Sequence, residues 1–317
     1  MCTCITYKNS GFFFGRNLDL DCSFGETVVV APRNFPLRFR NGNILENHYA
    51  MIGMAAETDV FPLYADAVNE KGLAMAGLNF PGNAKYRKPE GNGLELASFE
   101  MIAWTLARYE TVDEAVGDFA DLVITDTAFA KEMPPAPLHW MLADSERCVV
   151  IEQTEDGLKI FENPAGVLTN NPTFDFHMMN LNNYLNLTRV RPENRFSKNL
   201  DLKPFAEGMG AMGLPGDYSS VSRFVKAAFL KANSAAEKDE KSDVSQFFHI
   251  LDAVAMVRGS VITEKGTYDI TTYSCCMNAK EGAYMFKTYD DSRIRTANMY
   301  DEDIDGSSLI KCWCCVH

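Results

Sequence analysis

No run of 18 or more apolar residues occurs in the chain, so it offers no candidate for a membrane-spanning helix. Positive charge is scarce: 30 Lys and Arg stand against 43 Asp and Glu, a formal net charge of −13. Such a surface repels nucleic acid and anionic membranes, and no basic patch counters it, so neither is expected as a partner. The first residues lack a basic segment leading into an apolar one, so no signal peptide is expected. A serine nucleophile in G-x-S-x-G context is missing. So is the paired C-x-x-C spacing of a zinc knuckle, and no metal or organic cofactor is expected. Neither an internal repeat nor a long low-complexity linker divides the chain. With 317 residues, 46% of them hydrophobic, it reads as a single domain over residues 1–317 with a large core.

Nine cysteines are present: Cys2, Cys4, Cys22, Cys148, Cys275, Cys276, Cys312, Cys314 and Cys315. The odd count and the missing signal point to reduced thiols in a cytoplasmic setting, not to a disulfide scaffold. Three of them crowd the tail KCWCCVH with His317. Those are metal-ligand types at a spacing that matches no knuckle, and the tail reads as incidental and exposed. The five histidines, His48, His139, His177, His249 and His317, fall in no cysteine-protease context. His139 and His249 sit in apolar runs and read as core residues. Gly208-x-Gly210-x-x-Gly213 has the letters of a dinucleotide fingerprint. No strand leads into it and Leu214-Pro215-Gly216 follows, so it reads as a loop.

The informative stretch is the first nineteen residues, MCTCITYKNSGFFFGRNLD. Removal of Met1 would leave Cys2 carrying both a thiol and a free α-amine. Such groups ordinarily titrate near about 8.5 and about 7.7–8.0, close enough to exchange a proton. Thr3 to Tyr7 are strand formers, and Asn9-Ser10-Gly11 is a turn cluster. Phe12 to Gly15 begins the return strand, which brings Arg16 to Leu18 across from Cys2. A guanidinium near a thiol favours the thiolate, and Asp19 could hold the α-ammonium. Which face Arg16 occupies depends on a register the sequence does not fix. A buried hairpin with an inert Cys2 fits this stretch as well.

Beyond the hairpin, strands are expected over 26–31, 48–55 and 72–80, with a turn at Asn69-Glu70-Lys71-Gly72 and a loop over 81–93. Leu94 to Tyr109 has helical spacing, and Thr111-x-x-Glu114 is a capping box for a helix through Leu122. A loop over 124–137 precedes a three-strand meander over 138–143, 147–153 and 157–162. A short strand ends at Asn170, and a polar helix follows over 176–187. Helices over 222–235 and 242–257 precede closing strands over 267–276 and 282–289. The order β-rich, αα, β-rich, αα, ββ predicts an α+β fold with antiparallel sheets covered by helix pairs. Asn79, Asn170 and Arg223 fall where strands end or loops begin. Taken singly, each Asn reads as turn chemistry.

Together these segments resemble the choloylglycine hydrolase family, and within it the bile salt hydrolases, over roughly Met1 to Asp305. The likeness rests on MCT, FGRNLD at 14–19, ADAVNEKGLAMAGLNFPG at 65–82 and PLHWMLAD at 137–144. It continues in GVLTNNPTFDFH at 166–177, GLPGDYSSVSRFVKAAF at 213–229 and FFHILDAVAMVRGS at 247–260. The resemblance implies a four-layer αββα N-terminal nucleophile (Ntn) hydrolase sandwich, usually a homotetramer. It implies cofactor-free hydrolysis of the amide of glycine- or taurine-conjugated bile acids. Cys2 would correspond to the nucleophile, Arg16 and Asp19 to the pair that tunes the thiol and holds the amine, and Asn79 and Asn170 to the groups lining the oxyanion and amide site. Arg223 would be the remaining charged residue nearby. Leu18, Phe61, Ala65, Phe129 and Met133 would line an apolar acyl pocket. The related penicillin V acylases tend to carry Tyr where this chain has Asn79, which leans the reading toward bile salts. A penicillin V acylase and a non-catalytic bile-acid-binding protein are the alternatives.

Overall fold

A computed structural model describes residues 1–56 and 58–314. In chain order its strands are β1 (Cys2–Lys8), β2 (Phe12–Leu20), β3 (Glu26–Ala31), β4 (Leu37–Arg38), β5 (Ile44–Leu45), β6 (Met51–Ala56), β7 (Leu63–Asn69), β8 (Ala74–Asn79) and β9 (Leu94–Ala97). They continue as β10 (Leu122–Thr125), β11 (Leu138–Ala143), β12 (Cys148–Thr154), β13 (Gly157–Glu162), β14 (Val167–Leu168), β15 (Ile270–Asn278), β16 (Ala283–Thr288), β17 (Arg295–Asn298) and β18 (Ile310–Cys314). The α-helices are α1 (Met101–Arg108), α2 (Val112–Asp118), α3 (Phe174–Asn180), α4 (Ser220–Ala232) and α5 (Glu240–Asp252).

Two large sheets form from these strands. One has six strands in the order β14-β1-β2-β15-β16-β17, the other eight in the order β13-β12-β11-β8-β7-β6-β3-β18. Every pairing within both is antiparallel. The eight-stranded sheet is apolar on both faces, which is why ETVVVA and HWMLA read as near-continuous hydrophobic runs. Successive strand residues point to opposite faces. Val28 and Val30 accordingly join one core with Phe224, Phe247 and Leu251 of α4 and α5. Val29 and Ala31 join another with Trp104 and Leu106 of α1 and Val112 of α2. The layers therefore run α4/α5, six-stranded sheet, eight-stranded sheet, α1/α2. This is the αββα Ntn-hydrolase sandwich. Each fully buried aliphatic side chain in these cores contributes roughly 1.5–3 kcal/mol.

Close approach is built in where β2 meets β15. A Cβ on Gly15 would lie 2.0 Å from the carbonyl oxygen of Cys275, so no other residue fits without moving a strand. The turn at Asn69–Gly72 forms as expected. Asn69 Oδ1 accepts from the backbone N–H of Lys71 and Leu73, and Gly72 takes a φ of 93°.

Several boundaries differ from the sequence pattern. Leu94–Ala97 is not the start of a helix but strand β9, paired in parallel with β10. The switch to helix comes at Glu100, whose carboxylate accepts from the backbone N–H of Ala97 at 2.8 Å and of Arg40 at 2.6 Å. Leu122–Thr125, expected as the end of a helix and the start of a loop, is the partner strand. Strands β7 and β17 were not expected. The tail is not an incidental appendage, since β18 pairs with β3 at the edge of the larger sheet. Cys315 and His317 lie outside the described residues. Gly208 caps a single 3-10 turn over Met209–Ala211, so the Gly208–Gly213 run is a loop.

Candidate active site

Cys2 opens β1 opposite Leu18, and Cys4 faces Arg16. Cross-strand partners share a face, so the register left open by the sequence places Cys2, Cys4, Arg16 and Leu18 on one side of the sheet. That side looks toward the eight-stranded sheet, because Arg16 Nη1 donates to the carbonyl oxygens of Ala65 at 3.1 Å and Gly77 at 2.5 Å. Thr3, Asn17 and Asp19 point the other way, toward the helices: Asn17 Nδ2 donates to the Leu251 carbonyl of α5 at 2.8 Å. The site therefore straddles one edge of the smaller sheet, with Arg16 and Asp19 on opposite faces.

One node joins the distant parts. The backbone N–H of Cys2 donates to Asn170 Oδ1 at 2.8 Å. Arg223 Nη2 donates to the same oxygen at 2.8 Å, and its Nη1 donates to the Cys2 carbonyl and, at 2.6 Å, to Thr3 Oγ1. Asn170 Nδ2 donates to the Asn79 carbonyl at 2.7 Å. Cys2, Asn79, Asn170 and Arg223 thus form a continuous hydrogen-bonded set. Arg223 lies within α4, whose N-cap Ser219 accepts from the Ser222 N–H. Cys2 is 4% exposed and Arg223 1%.

Asp19 sits beside this node. Its Oδ1 accepts from Thr271 Oγ1 at 2.6 Å, and its Oδ2 is buried without a hydrogen-bond partner. Burial pushes its carboxyl up, opposed by Arg223 and the N-terminal ammonium. Burial pulls Arg223 down from the usual guanidinium range, against Asp19, Cys2 and Asp269. Arg16 behaves differently: burial lowers it, but Cys2, Tyr273 and Asp66 outweigh burial and raise it. Met1 continues the β1–β2 pairing. Its ammonium donates to the Asp19 carbonyl at 2.5 Å and meets Asp269 Oδ2 at 3.3 Å, while its own carbonyl accepts from the Asp19 N–H at 2.8 Å.

Two histidines hold the Asn170 segment. His139 Nε2 contacts the Thr169 carbonyl and its Nδ1 contacts Glu152, both at 3.0 Å. His177 Nε2 donates to the Asn170 carbonyl at 2.8 Å, and its ring stacks on Phe224 at 4.7 Å. Ser220 Oγ accepts from the Asn170 N–H at 2.8 Å. His139 is a satisfied core residue, as its apolar strand suggested. His177 and Ser220 lay inside the family-like segments without an assigned role. Thr271 and Asp269 carried no sequence signal at all.

Burial holds His177 down to about 4, with Arg223 and His139 adding to the effect and the bond to Asn170 opposing it. An unfolded histidine takes up its proton near about 6.5, whereas this one stays neutral until about 4. Below pH 6.5 the unfolded chain therefore binds a proton the folded chain does not. Folding stability should fall between pH 6.5 and 4, by up to about 3 kcal/mol from this group. Urea unfolding at pH 7, 5.5 and 4.5 checks it: His177→Gln should lose correspondingly less across that window than the parent.

Of the five apolar residues, Leu18 and Ala65 pack with the core between the sheets, and Phe61 and Phe129 with the outer core. Leu18 faces Cys2 across the hairpin, and Ala65 abuts Arg16 through its carbonyl. Phe61 is 4% exposed and belongs to the outer core. Its ring packs edge-on against Phe39 at 5.8 Å and Phe99 at 5.7 Å. Phe129 reaches it only through Phe99, at 5.2 Å. Met133 is 44% exposed.

The family model for linear amide C–N hydrolases of the choloylglycine hydrolase family matches residues 2–312. The chain belongs to the choloylglycine hydrolase family. Among its members, the bile salt hydrolase/transferase of Lactiplantibacillus plantarum is 45% identical over 310 residues, covering 98% of this chain and 96% of that protein. The conjugated bile acid hydrolase of Lactobacillus acidophilus is 35% identical over 314 residues, covering 98% and 99%. The solved structure of a mutant conjugated bile acid hydrolase from Clostridium perfringens superposes with a TM-score of 0.91 at 36% identity, covering 98% of this chain and 96% of that one. Penicillin V acylase from Agrobacterium tumefaciens shares the fold, with a TM-score of 0.76 at 20% identity and coverage of 97% and 90%. The node around Cys2 brings together a thiol, its own backbone nitrogen, an amide side chain and a guanidinium.

Proposed function

We propose that this protein is a bile salt hydrolase that cleaves the amide bond joining a bile acid to glycine or taurine, with Cys2 as nucleophile once Met1 is gone. The observation that carries this reading is the position of the Cys2 nitrogen, 2.8 Å from Asn170 Oδ1 in a chain whose relatives bear bile salt hydrolase names. Loss of Met1 turns that nitrogen into an amine already held by an acceptor. The thiol passes its proton to the amine, directly or through a water, and the thiolate attacks the amide carbonyl. Arg16, on the face shared with Cys2, supplies a counter-charge for the thiolate, and Asp19 holds the ammonium. Asn170 Nδ2 has two N–H groups and spends one on Asn79, leaving the other for the tetrahedral oxyanion alongside Asn79. The ammonium then returns its proton to the departing glycine or taurine nitrogen, and water hydrolyses the thioester. No step calls for a metal or organic cofactor.

Leu18, Ala65, Phe61, Phe129 and Met133 remain our candidates for the acyl side, with Leu18 and Ala65 nearest Cys2. Initial rates on glycocholate, taurocholate and penicillin V test the substrate class. The bile salts should be turned over at least about tenfold faster, since an apolar steroid buries far more area than a phenoxyacetyl group at about 25 cal/mol per Å². Faster cleavage of penicillin V would make the protein an acylase of that type, and tight glycocholate binding without turnover would make it a binding protein.

We also propose a cytoplasmic homotetramer acting as one domain. Free thiols throughout the described cysteine side chains suit a reducing compartment. Leu185 at 83%, Phe196 at 84% and Phe205 at 87% exposure give one segment an apolar surface that a further subunit would cover.

A further inference from the structure

We propose that Asp66, a residue outside the reacting groups, is a positioning residue that sets how much of the Arg16 charge is available to the Cys2 thiolate. This rests on the reading of Cys2 as nucleophile. Asp66 comes from β7 in the facing sheet and is fully buried, as is Arg16. Its Oδ2 lies 4.0 Å from Arg16 Nε and accepts from Tyr273 O–H at 2.6 Å. Its Oδ1 accepts from Tyr284 O–H at 2.6 Å and from the Cys275 thiol at 3.5 Å. Both oxygens accept hydrogen bonds, as a carboxylate does; burial pushes this carboxyl up and Arg16 opposes the push. Three polar side chains thus converge on the carboxyl that meets Arg16 in the buried gap between two sheets, where apolar packing would cost less. Such a cluster beside a reactive group is a candidate for a functional role.

Arg16 links the cluster to Cys2. Its Nη1 is anchored on Ala65 and Gly77, its Nε faces Asn17 and Asp66, and its Nη2 is buried with no partner. A buried N–H left open on the catalytic face is a costly feature unless an anion arrives there, and the anion that forms on this face is the Cys2 thiolate. Around the thiol, the charged and titratable groups are Arg16 and Cys4 on its own sheet, Asp66 from the facing sheet, Arg223 from α4, and Asp19 and Asp269 by the N-terminus. Of these, Asp66 is the carboxylate that meets Arg16, with Oδ2 at 4.0 Å from Nε. Its negative charge competes with the thiolate for the guanidinium, so it sets the balance between a thiolate that forms readily and one that is still nucleophilic.

The test uses the full-length, Met1-free enzyme and follows the pH dependence of Cys2 alkylation by iodoacetamide beside the pH profile of glycocholate hydrolysis. Asp66→Asn keeps the shape and removes the charge. It should move the alkylation midpoint and the acid limb of kcat/KM down by at least about 0.5 pH unit and lower kcat several-fold with KM little changed, because a more stabilised thiolate is a weaker nucleophile. Tyr273→Phe removes one donor from the oxygen nearest Arg16 and should move the midpoint the opposite way by a smaller amount. It decides the matter if Asp66→Asn fails to fold. A midpoint that stays put in the variants that fold, even with a lowered Tm, or one that moves up in Asp66→Asn or down in Tyr273→Phe, overturns the inference by reducing Asp66 to a structural residue. Hydrolysis that survives complete alkylation of Cys2 overturns the nucleophile reading and this inference with it, and is distinguished by needing no variant at all.

Discussion

Cys2→Ser in the Met1-free enzyme is expected to lower kcat/KM on glycocholate at least about 10⁴-fold while leaving the fold intact. Removing a covalent nucleophile elsewhere costs on the order of 10⁴–10⁶. A serine hydroxyl occupies the same place, but an alcohol is a far weaker acid than a thiol and a site arranged around a thiolate activates it poorly. Packing gives little reason for collapse. Cys2 sits at the first position of β1, and the bonds that hold it run through its backbone N–H and carbonyl to Asn170 and Arg223, which serine keeps. Thermal unfolding should therefore move by only a few degrees. A chain that retains Met1 should be as inactive as the serine variant for a separate reason. Its Cys2 nitrogen is a peptide amide without a basic lone pair, and its ammonium is committed to the Asp19 carbonyl and Asp269. Intact-mass spectrometry of mixed preparations should then show activity proportional to the Met1-free fraction. Turnover by Cys2→Ser within tenfold of the parent would remove Cys2 from its assigned role.

How much of this was legible in the sequence depended on how local the cause was. The first hairpin and the meander β11–β12–β13 were readable because strand formers and turn residues lie side by side. Helices α4 and α5 were readable from their amphipathic spacing, but each begins about two residues early, because Ser219 and Asp239 act as N-caps by accepting from Ser222 and Ser242. Leu94–Ala97 was misread because a short apolar run fits a helix and a buried strand equally. Its partner Leu122–Thr125 lies beyond two helices, where no local signal reaches. β17 and β18 were missed as polar or cysteine-rich edge segments whose strand character comes from β16 and β3. In the site, Cys2, Arg16 and Asp19 were legible from the first hairpin, whereas Asn79, Asn170 and Arg223 were assigned only through resemblance. Arg223 bonds to Cys2 across 221 positions of sequence, and spacing alone does not predict such a contact. That Arg16 and Asp19 take opposite faces of β2 follows from the strand period, but which face carries Arg16 followed only from the observed register. Phe61 and Phe129 show the limit of apolar character as a signal, since it serves an aromatic cluster around Phe99 as readily as a ligand.

Asn170→Ala should lower kcat on glycocholate by about 10²–10³, with a much smaller change in KM. Loss of one oxyanion donor typically costs about 2.7–4 kcal/mol of transition-state stabilisation, and the role proposed for Asn170 is toward the oxyanion, not the steroid. The alanine also strips Oδ1 from two donors, the Cys2 nitrogen and Arg223 Nη2, and Nδ2 from the Asn79 carbonyl. Leaving such buried groups without partners costs roughly 1–3 kcal/mol each, so stability should fall together with activity. Asn170→Asp separates the two roles. It keeps an acceptor for the amine and for Arg223 but sets an oxygen against the Asn79 carbonyl and removes the N–H proposed for the oxyanion, so it should recover part of the stability and still lose most of kcat. Arg223→Lys combined with Asn170→Ala should cost less than the sum of the single changes, because both act on the same oxygen. If Asn170→Asp instead stays within threefold of the parent in kcat, Asn170 serves only to hold the N-terminus, and the oxyanion must be met by Asn79 and its backbone.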